Sequence, residues 1–374
     1  MLQGQLAFMQ ERGFDVTVIS SPGPELERLS ARERVETVAV QMARSPDPRD
    51  PGSLLRLVRA LQAIRPDIVN ASTPKAGLLG MIAARALSVP VRIYLLRGLR
   101  LETVRGPMRM LLGASERTAA VCAHEVICVS RSLMDAAGAG GHISRRKMRV
   151  LGGGSSNGVD SERFRRDDEL RMDGRNRLEA LGVGRHDPVV LFVGRFARDK
   201  GIVDVVSAFA QVREAIPAAK LVVVGGDFAD EMIDAKLAER VRRAEGVIST
   251  GRIEDVAPYY SAADVLAFPS HREGFPNVPL EAAAAELPTV GYRSTGVVDA
   301  VVDGDTGRLV EQGDTEALSR SILAYVRDPS LARAHGRAAR ERAVREYRRE
   351  DVYERWLRVY VDHLRSRGLP VPRG

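Results

Sequence analysis

An α/β fold of two doubly wound parallel sheets is predicted by three features of this 374-residue chain. Short β-branched runs alternate with helical patterns along its whole length, which is the rhythm of parallel strands covered by helices on both faces. The length exceeds that of one ordinary domain. A charged segment with helical spacing but no strand pattern, Phe164 to Asp187, separates two such series.

In the first series the predicted strands are Phe14-Asp15-Val16-Thr17-Val18-Ile19, Asp67-Ile68-Val69-Asn70, Val91-Arg92-Ile93-Tyr94 and Glu125-Val126-Ile127-Cys128-Val129. The second has Val189-Val190-Leu191-Phe192-Val193, Leu221-Val222-Val223-Val224, Asp264-Val265-Leu266-Ala267-Phe268 and Thr289-Val290-Gly291-Tyr292. The expected organisation is a first domain over 1–165, a linker over 166–187, a second domain over 188–350, and a terminal helix and tail over 351–374. In that last helix Val352, Tyr353, Trp356, Leu357, Val359 and Tyr360 form one apolar stripe, so Trp356 is expected in a core rather than on a ligand.

A doubly wound domain normally opens with a strand and a glycine-rich turn into its first helix. This chain opens inside what should be that helix, since Leu2, Leu6 and Met9 have helical spacing and Gly13 closes it. The first strand is therefore expected to be absent. On that reading Met1 is an internal start, and roughly twenty residues of strand, turn and half-helix lie upstream.

Composition narrows the function. Hydrophobic residues make up 44% and charged residues 28%, a globular balance. No apolar run is long enough to span a membrane, because Arg85, Pro90, Arg92 and Arg97 break the most hydrophobic stretch. Gln3, Gln5, Gln10, Glu11 and Arg12 interrupt any apolar core, so the start does not resemble a signal peptide and the cytoplasm is the expected compartment. Cys122 and Cys128 have apolar flanks and are expected as small buried hydrophobes. With His124 between them they lack the ligand-pair spacing of a metal site, and no metal is expected.

The net charge of +7 divides into +10 over residues 1–166 and −3 over residues 167–374. A basic first half, with the cluster Arg145-Arg146-Lys147 and Arg149, suits an anionic membrane surface. Nucleic acid is the competing partner, and the absence of its binding signatures together with only 5% aromatic residues argues against it.

The segment His271-Arg272-Glu273-Gly274-Phe275-Pro276-Asn277-Val278-Pro279-Leu280-Glu281 carries the most chemistry. Two carboxylates flank a tight turn that enters an alanine-rich helix, and Pro276 or Pro279 suits the first turn, where a missing N–H costs little. The unpaired N–H groups of a helix start, with the positive end of its dipole, attract an anion. Glu281, about two turns on, is expected near the face of Glu273. One carboxylate could then hold sugar hydroxyls and the other a ribose.

Gly194-Arg195-Phe196-Ala197-Arg198-Asp199-Lys200-Gly201 joins a buried strand to a helical pattern and carries two spaced cations. Arg195 can fork onto phosphate oxygens while Lys200 supplies a compact charge. The Gly-Lys-Ser/Thr element of a P-loop is missing, so this turn alone is a weaker signal. Gly225-Gly226-Asp227 and Gly251-Arg252-Ile253 are further turns at strand ends, where backbone groups can read a nucleobase.

Together these motifs resemble the second domain of retaining glycosyltransferases of family 4, which have the GT-B fold of two Rossmann-like domains facing a cleft. Asn157-Gly158-Val159-Asp160 and Asp303-Gly304-Asp305-Thr306-Gly307 also fit, and the likeness covers nearly the whole chain. In the first half, Ser72-Thr73-Pro74-Lys75-Ala76-Gly77-Leu78-Leu79-Gly80 and Leu96-Arg97-Gly98-Leu99-Arg100-Leu101-Glu102 resemble the branch that builds capsule, exopolysaccharide and O-antigen units on a polyprenyl diphosphate carrier.

The resemblance implies that Arg195 and Lys200 contact the donor diphosphate and that Glu273 holds donor-sugar hydroxyls. The backbone from Gly274 through Phe275, Pro276 and Asn277 to Val278 would flank the phosphates, with N–H groups from all but the proline; Gly194, Gly251, Arg252 and Ile253 would line the nucleotide, and Glu281 would bind the ribose. The implied reaction is transfer of a hexosyl group from a nucleotide sugar, UDP-linked, with retention. The leaving diphosphate itself helps deprotonate the acceptor, a lipid-carrier-linked saccharide. No cofactor is implied, and no metal, since the two cations take its role. Lys75 and Arg97 would lie on the acceptor side.

Two departures bear on this. Many relatives place a His before the glycine of the first-domain loop, where this chain has Arg97 before Gly98; Arg cannot act as a base and is better cast as an anion clamp. The absent first strand would also remove its following turn, which borders the donor phosphates. A nucleotide-sugar epimerase of the same architecture and an inactive, truncated nucleotide-binding protein remain alternatives at this point.

Overall fold

A computed structural model describes residues 4–43, 47–225 and 235–372. The chain divides into two compact units: residues 1–157 with 350–374, and residues 158–349. In the first, α1 (Gln5–Glu11), β1 (Thr17–Ser20), α2 (Pro24–Glu33), β2 (Glu36–Ala39), α3 (Asp50–Ile64), β3 (Ile68–Ser72) and α4 (Pro74–Ala86) come first. They are followed by β4 (Val91–Leu96), α5 (Pro107–Cys122), β5 (Glu125–Cys128), α6 (Arg131–Ala139) and β6 (Met148–Val150). The second unit opens with α7 (Asp168–Ala180), β7 (Val189–Val193), α8 (Ile202–Ala215), β8 (Lys220–Val224), α9 (Ala235–Arg242), β9 (Val247–Gly251), α10 (Ala257–Ala262) and β10 (Val265–Phe268). It continues through α11 (Asn277–Ala284), β11 (Thr289–Tyr292), α12 (Val297–Ala300), β12 (Gly307–Val310), α13 (Thr315–Arg327) and α14 (Pro329–Tyr347), and the chain ends with α15 (Arg349–Arg365).

Six parallel strands of the second unit lie in the order β12-β11-β10-β7-β8-β9, a doubly wound sheet. Its strands read as continuous apolar runs because both faces are covered: β7, β8 and β10 are buried almost throughout.

The division of the chain differs from the sequence expectation at both of its edges. Residues 168–180, expected within a linker, form α7, whose cap is the Asp167 carboxylate accepting from Leu170 N at 2.7 Å. Gly174 lets α7 approach α10 so closely that a Cβ there would sit 2.0 Å from the Pro258 carbonyl oxygen. Charge had suggested a spacer, whereas the capped, packed helix belongs to the second unit. The terminal helix, expected to stand apart, belongs to the first: Trp356 is 1% exposed, as expected of a core residue, and Asn70 on β3 donates to the Tyr360 hydroxyl at 2.7 Å.

The first unit holds two separate parallel sheets, β1-β2 and β3-β4-β5-β6. Ile19, Val38 and Val69 from the two sheets share one apolar cluster with α3 and α4. Phe14, just before β1, and Asn70 on β3 both touch Tyr360. Among the described residues no strand bonds β1 to β3, where a doubly wound sheet has its central strand. Leu2, expected in the opening helix, lies outside the described residues, and α1 begins at Gln5.

Candidate active site

The second sheet reverses its winding at β7, which lies between β10 and β8. Ligands of such sheets sit beyond the carboxyl ends of the strands at that point. Three of the sequence motifs converge there. Gly194, following β7, donates its N–H to Val224 O at 3.0 Å, and Gly225, following β8, donates to Gly251 O at 2.8 Å. The turns after β7, β8 and β9 therefore lie side by side. Gly225 has φ +113° and a Cβ there would stand 2.3 Å from Gly194 O, so only glycine fits. Gly226 and Asp227 lie outside the described residues.

The residues after β7 and after β10 meet across the reversal. Lys200 Nζ donates to Glu273 Oε1 at 2.7 Å, and the Ser270 hydroxyl donates to the same oxygen at 2.7 Å. The two loops are also joined through their backbones: His271 N donates to Asp199 O at 2.9 Å, and Arg272 pairs with Asp199 at 3.7 Å. Gly201 closes the turn in the left-handed region at φ +71°, with a Cβ position only 2.0 Å from Pro269 O. Arg195 is half-buried in the same turn.

Pro276 caps α11, Asn277 is its exposed first residue, and Pro279 falls within its first turn. Phe275 packs its ring 5.1 Å from that of Tyr347, and Phe275, Val278 and Ile253 all lie against the apolar core. Their side chains thus take part in the core, and their backbones carry the polar groups they can offer a ligand. Glu281 does not share partners with Glu273: its Oε2 accepts from the Tyr260 hydroxyl at 2.8 Å. Burial holds the Glu281 carboxyl above its ordinary range, opposed by the Tyr260 hydrogen bond.

This geometry has known counterparts. Residues 176–342 match the family described as glycosyl transferases group 1, and residues 2–154 match the glycosyl transferase 4-like domain. The capsular polysaccharide biosynthesis glycosyltransferase CapM of Staphylococcus aureus is 33% identical over 367 residues, spanning 98% of this chain and 94% of that protein. The chain belongs to the group 1 glycosyltransferases. Anabaena HepE in complex with UDP-glucose superposes with a TM-score of 0.80 at 19% identity, covering 96% of each chain. Sucrose-phosphate synthase from Thermosynechococcus elongatus gives 0.81 at 23% identity, covering 98% of this chain and 93% of that one. The fold is GT-B.

In the first unit of the glycosyltransferase, Lys75 stands in the first turn of α4 and pairs with Asp50 at 2.7 Å. Thr73, just before α4, is held at φ 71°, a strained conformation for a threonine. Arg97 follows β4, and burial lowers its pKa. The basic cluster expected to face a membrane is largely engaged internally. Arg145 pairs with Asp135, Arg149 with Glu125, and Lys147 donates to the carbonyls of Ala120 and Ala123 at the end of α5. No helix among the described residues is long and apolar enough to cross a membrane.

Some site residues escaped the sequence reading. Ser270 is adjacent to the motif at His271, but nothing marks it as a donor to Glu273. Tyr260 sits in α10, distant in sequence from Glu281. Asp204, on α8, accepts from the Tyr292 hydroxyl at 2.9 Å and lies 2.9 Å from His271 Nε2, steadying the loop that carries Glu273. Each depends on tertiary contact, which leaves no local pattern.

Proposed function

We propose that this glycosyltransferase moves a hexosyl group, with retention, from a UDP-sugar to a saccharide carried on a lipid diphosphate. The setting would be surface-polysaccharide synthesis at the inner face of the plasma membrane. The observation that carries the reading is the meeting of Lys200 and Glu273 at the winding reversal, beside the adjacent turns of Gly194, Gly225 and Gly251. A UDP-sugar placed there has a cation for its diphosphate and a carboxylate for its sugar hydroxyls. CapM's description as a capsular enzyme and HepE's complex with UDP-glucose support the same donor class and pathway.

In this reading Arg195 and Lys200 stabilise the negative charge that grows on the β-phosphate, a fixed electrostatic contribution made without a metal. The bond from the anomeric carbon to the β-phosphate oxygen breaks while the acceptor oxygen bonds to the same face of that carbon. The acceptor's proton passes to the leaving phosphate oxygen. Glu273 orients the sugar, and backbone amides of Gly274, Asn277 and Val278 meet the phosphates at the start of α11. Glu281 takes the ribose hydroxyls through the oxygen that Tyr260 leaves, with Gly251, Arg252 and Ile253 offering backbone to the base. Lys75 and Arg97, on the first unit, serve the acceptor's anionic carrier.

A panel of nucleotide sugars offered with lipid-diphosphate-sugar acceptors, read by mass spectrometry, tests the proposal. The expected result is one hexose added from a UDP-sugar, with the donor's anomeric configuration. Nucleotide-sugar turnover to an isomer without acceptor would favour the epimerase, and no turnover or nucleotide binding would contradict both.

A further inference from the structure

Groups that follow β7 and β12 meet the end of β11 at His271, which lies on the loop between β10 and α11, shortly before Glu273. These four strands are neighbours in the sheet. His271 Nε2 stands 2.9 Å from Asp204 Oδ2 in the first turn of α8. The same Asp204 oxygen accepts from the hydroxyl of Tyr292, the last residue of β11, at 2.9 Å. On its other side, His271 Nδ1 stands 2.7 Å from the side-chain nitrogen of Gln312, just past β12. The ring also packs edge-on against Tyr292, with centroids 5.3 Å apart.

This network assigns the tautomer of the imidazole. The Gln312 nitrogen that faces Nδ1 also donates to the His271 carbonyl oxygen at 3.2 Å. A carbonyl only accepts, so the NH2 end of the amide faces the ring and Nδ1 is an acceptor. The ring proton then sits on Nε2 and is donated to Asp204. With both nitrogens engaged, His271 has no lone pair left for proton transfer; it can hold other groups in place but not act as a base. Burial raises the pKa of Asp204, and hydrogen bonds from His271 and Tyr292 more than offset this, so its carboxyl is held below the ordinary range.

The loops after β7 and β10 carry the two halves of the donor clamp, and their connections differ in what a donor would do to them. The Lys200–Glu273 pair breaks when Lys200 turns to a diphosphate. Arg272 and Asp199 are 3.7 Å apart, a loose pair. The Asp204–His271 bond is shorter, has an ionised acceptor, and is mostly shielded, with side-chain exposures of 22% and 29%. We infer that Asp204, acting through His271, is a positioning residue for transfer: the pair holds Glu273 against the donor sugar once Lys200 has moved to the diphosphate. The inference rests on the reading of Lys200 and Glu273 as that clamp. UDP alone, which lacks the sugar, should not depend on the pair.

Turnover of the UDP-sugar selected by the donor screen, with calorimetric titration of UDP, tests this on the full chain. His271→Ala and Asp204→Ala should each lower kcat by about tenfold to a hundredfold, the scale of a displacement of about 1 Å at a reacting centre. The Kd for UDP should stay within about twofold of wild type. The double variant should lose no more than either single one, since both break the same link. Glutamine places an amide nitrogen where Nε2 lies and asparagine places one where Nδ1 lies, so His271→Gln should recover most of the lost kcat and His271→Asn little. Wild-type kcat in both alanine variants, a loss of UDP affinity as large as the loss of kcat, or equal kcat in the Gln and Asn variants would each overturn the inference. If an alanine variant does not fold, the comparison of Gln with Asn decides. Wild-type kcat in Glu273→Ala would instead remove the clamp reading itself, and the inference with it.

Discussion

Lys200 and Glu273 face each other across the reversal of the second sheet with Nζ and Oε1 2.7 Å apart. One side chain arrives on the turn after β7 and the other on the loop after β10, so the pair joins the two strands between which the winding changes direction. Both are mostly shielded, with side-chain exposures of 20% and 14%. A donor that draws Lys200 to its diphosphate would release Glu273 to the sugar, with Ser270 still donating to the carboxylate.

The two glutamates should separate kinetically. Glu273→Ala is expected to depress turnover more than affinity for free UDP, because UDP lacks the sugar that Glu273 holds. Glu281→Ala is expected to weaken UDP itself. Steady-state kinetics with calorimetric UDP titration checks this, and near-wild-type values in both variants would sink the assignment.

The Glu281–Tyr260 contact predicts a pH effect of definite sign. Ribose hydroxyls are best received by the carboxylate, whose pKa burial raises and Tyr260 opposes. UDP affinity should fall as pH drops through that raised pKa. Tyr260→Phe removes the donor that favours the charged form, so the acid limb of the affinity profile should move to higher pH. An acid limb that stays in place or moves lower counts against the contact.

Glu116 gives the first unit a pH-dependent stability. Burial raises its pKa from 4.5 to about 7, against the hydrogen bond from Tyr94, which lowers it. The folded state therefore binds the proton more tightly than the unfolded chain, and this contribution is complete below pH 4.5 and lost as pH rises through about 7. A shift of this size amounts to about 3 kcal/mol. Glu116→Gln keeps an acceptor for Tyr94 without titrating. Its melting temperature should gain on that of the wild type between pH 5 and pH 8, and a constant difference would show that Glu116 does not titrate in that range.

How much of this was legible in the sequence depended on burial. The strands at Val189 to Val193 and Thr289 to Tyr292 were readable to the residue because both faces are covered and neither run carries a charged residue. β2 was missed: Glu36 and Ala39 are exposed, and Glu36 with Thr37 interrupts the apolar run from Val35 to Val40. β6 has only three residues, too few for a period. The linker expectation failed on composition, since Arg165, Arg166, Asp167, Asp168 and Glu169 read as a spacer when Asp167 is in fact a helix cap. In the site, the glycine turns and cations were visible because a strand end and a helix start fix their surroundings locally. The pairing of Glu281 with Tyr260, and of Lys200 with Glu273, depends on strand order, which a single sequence does not display.

The most direct test of the donor site is the turnover of Arg195→Ala and Lys200→Ala beside the wild type, with the UDP-sugar the donor screen selects. If both cations stabilise charge growing on the β-phosphate, each variant should lose about 3 kcal/mol of transition-state stabilisation, a fall in turnover of roughly a hundredfold. A fall of less than about tenfold in both variants would place the reacting diphosphate elsewhere.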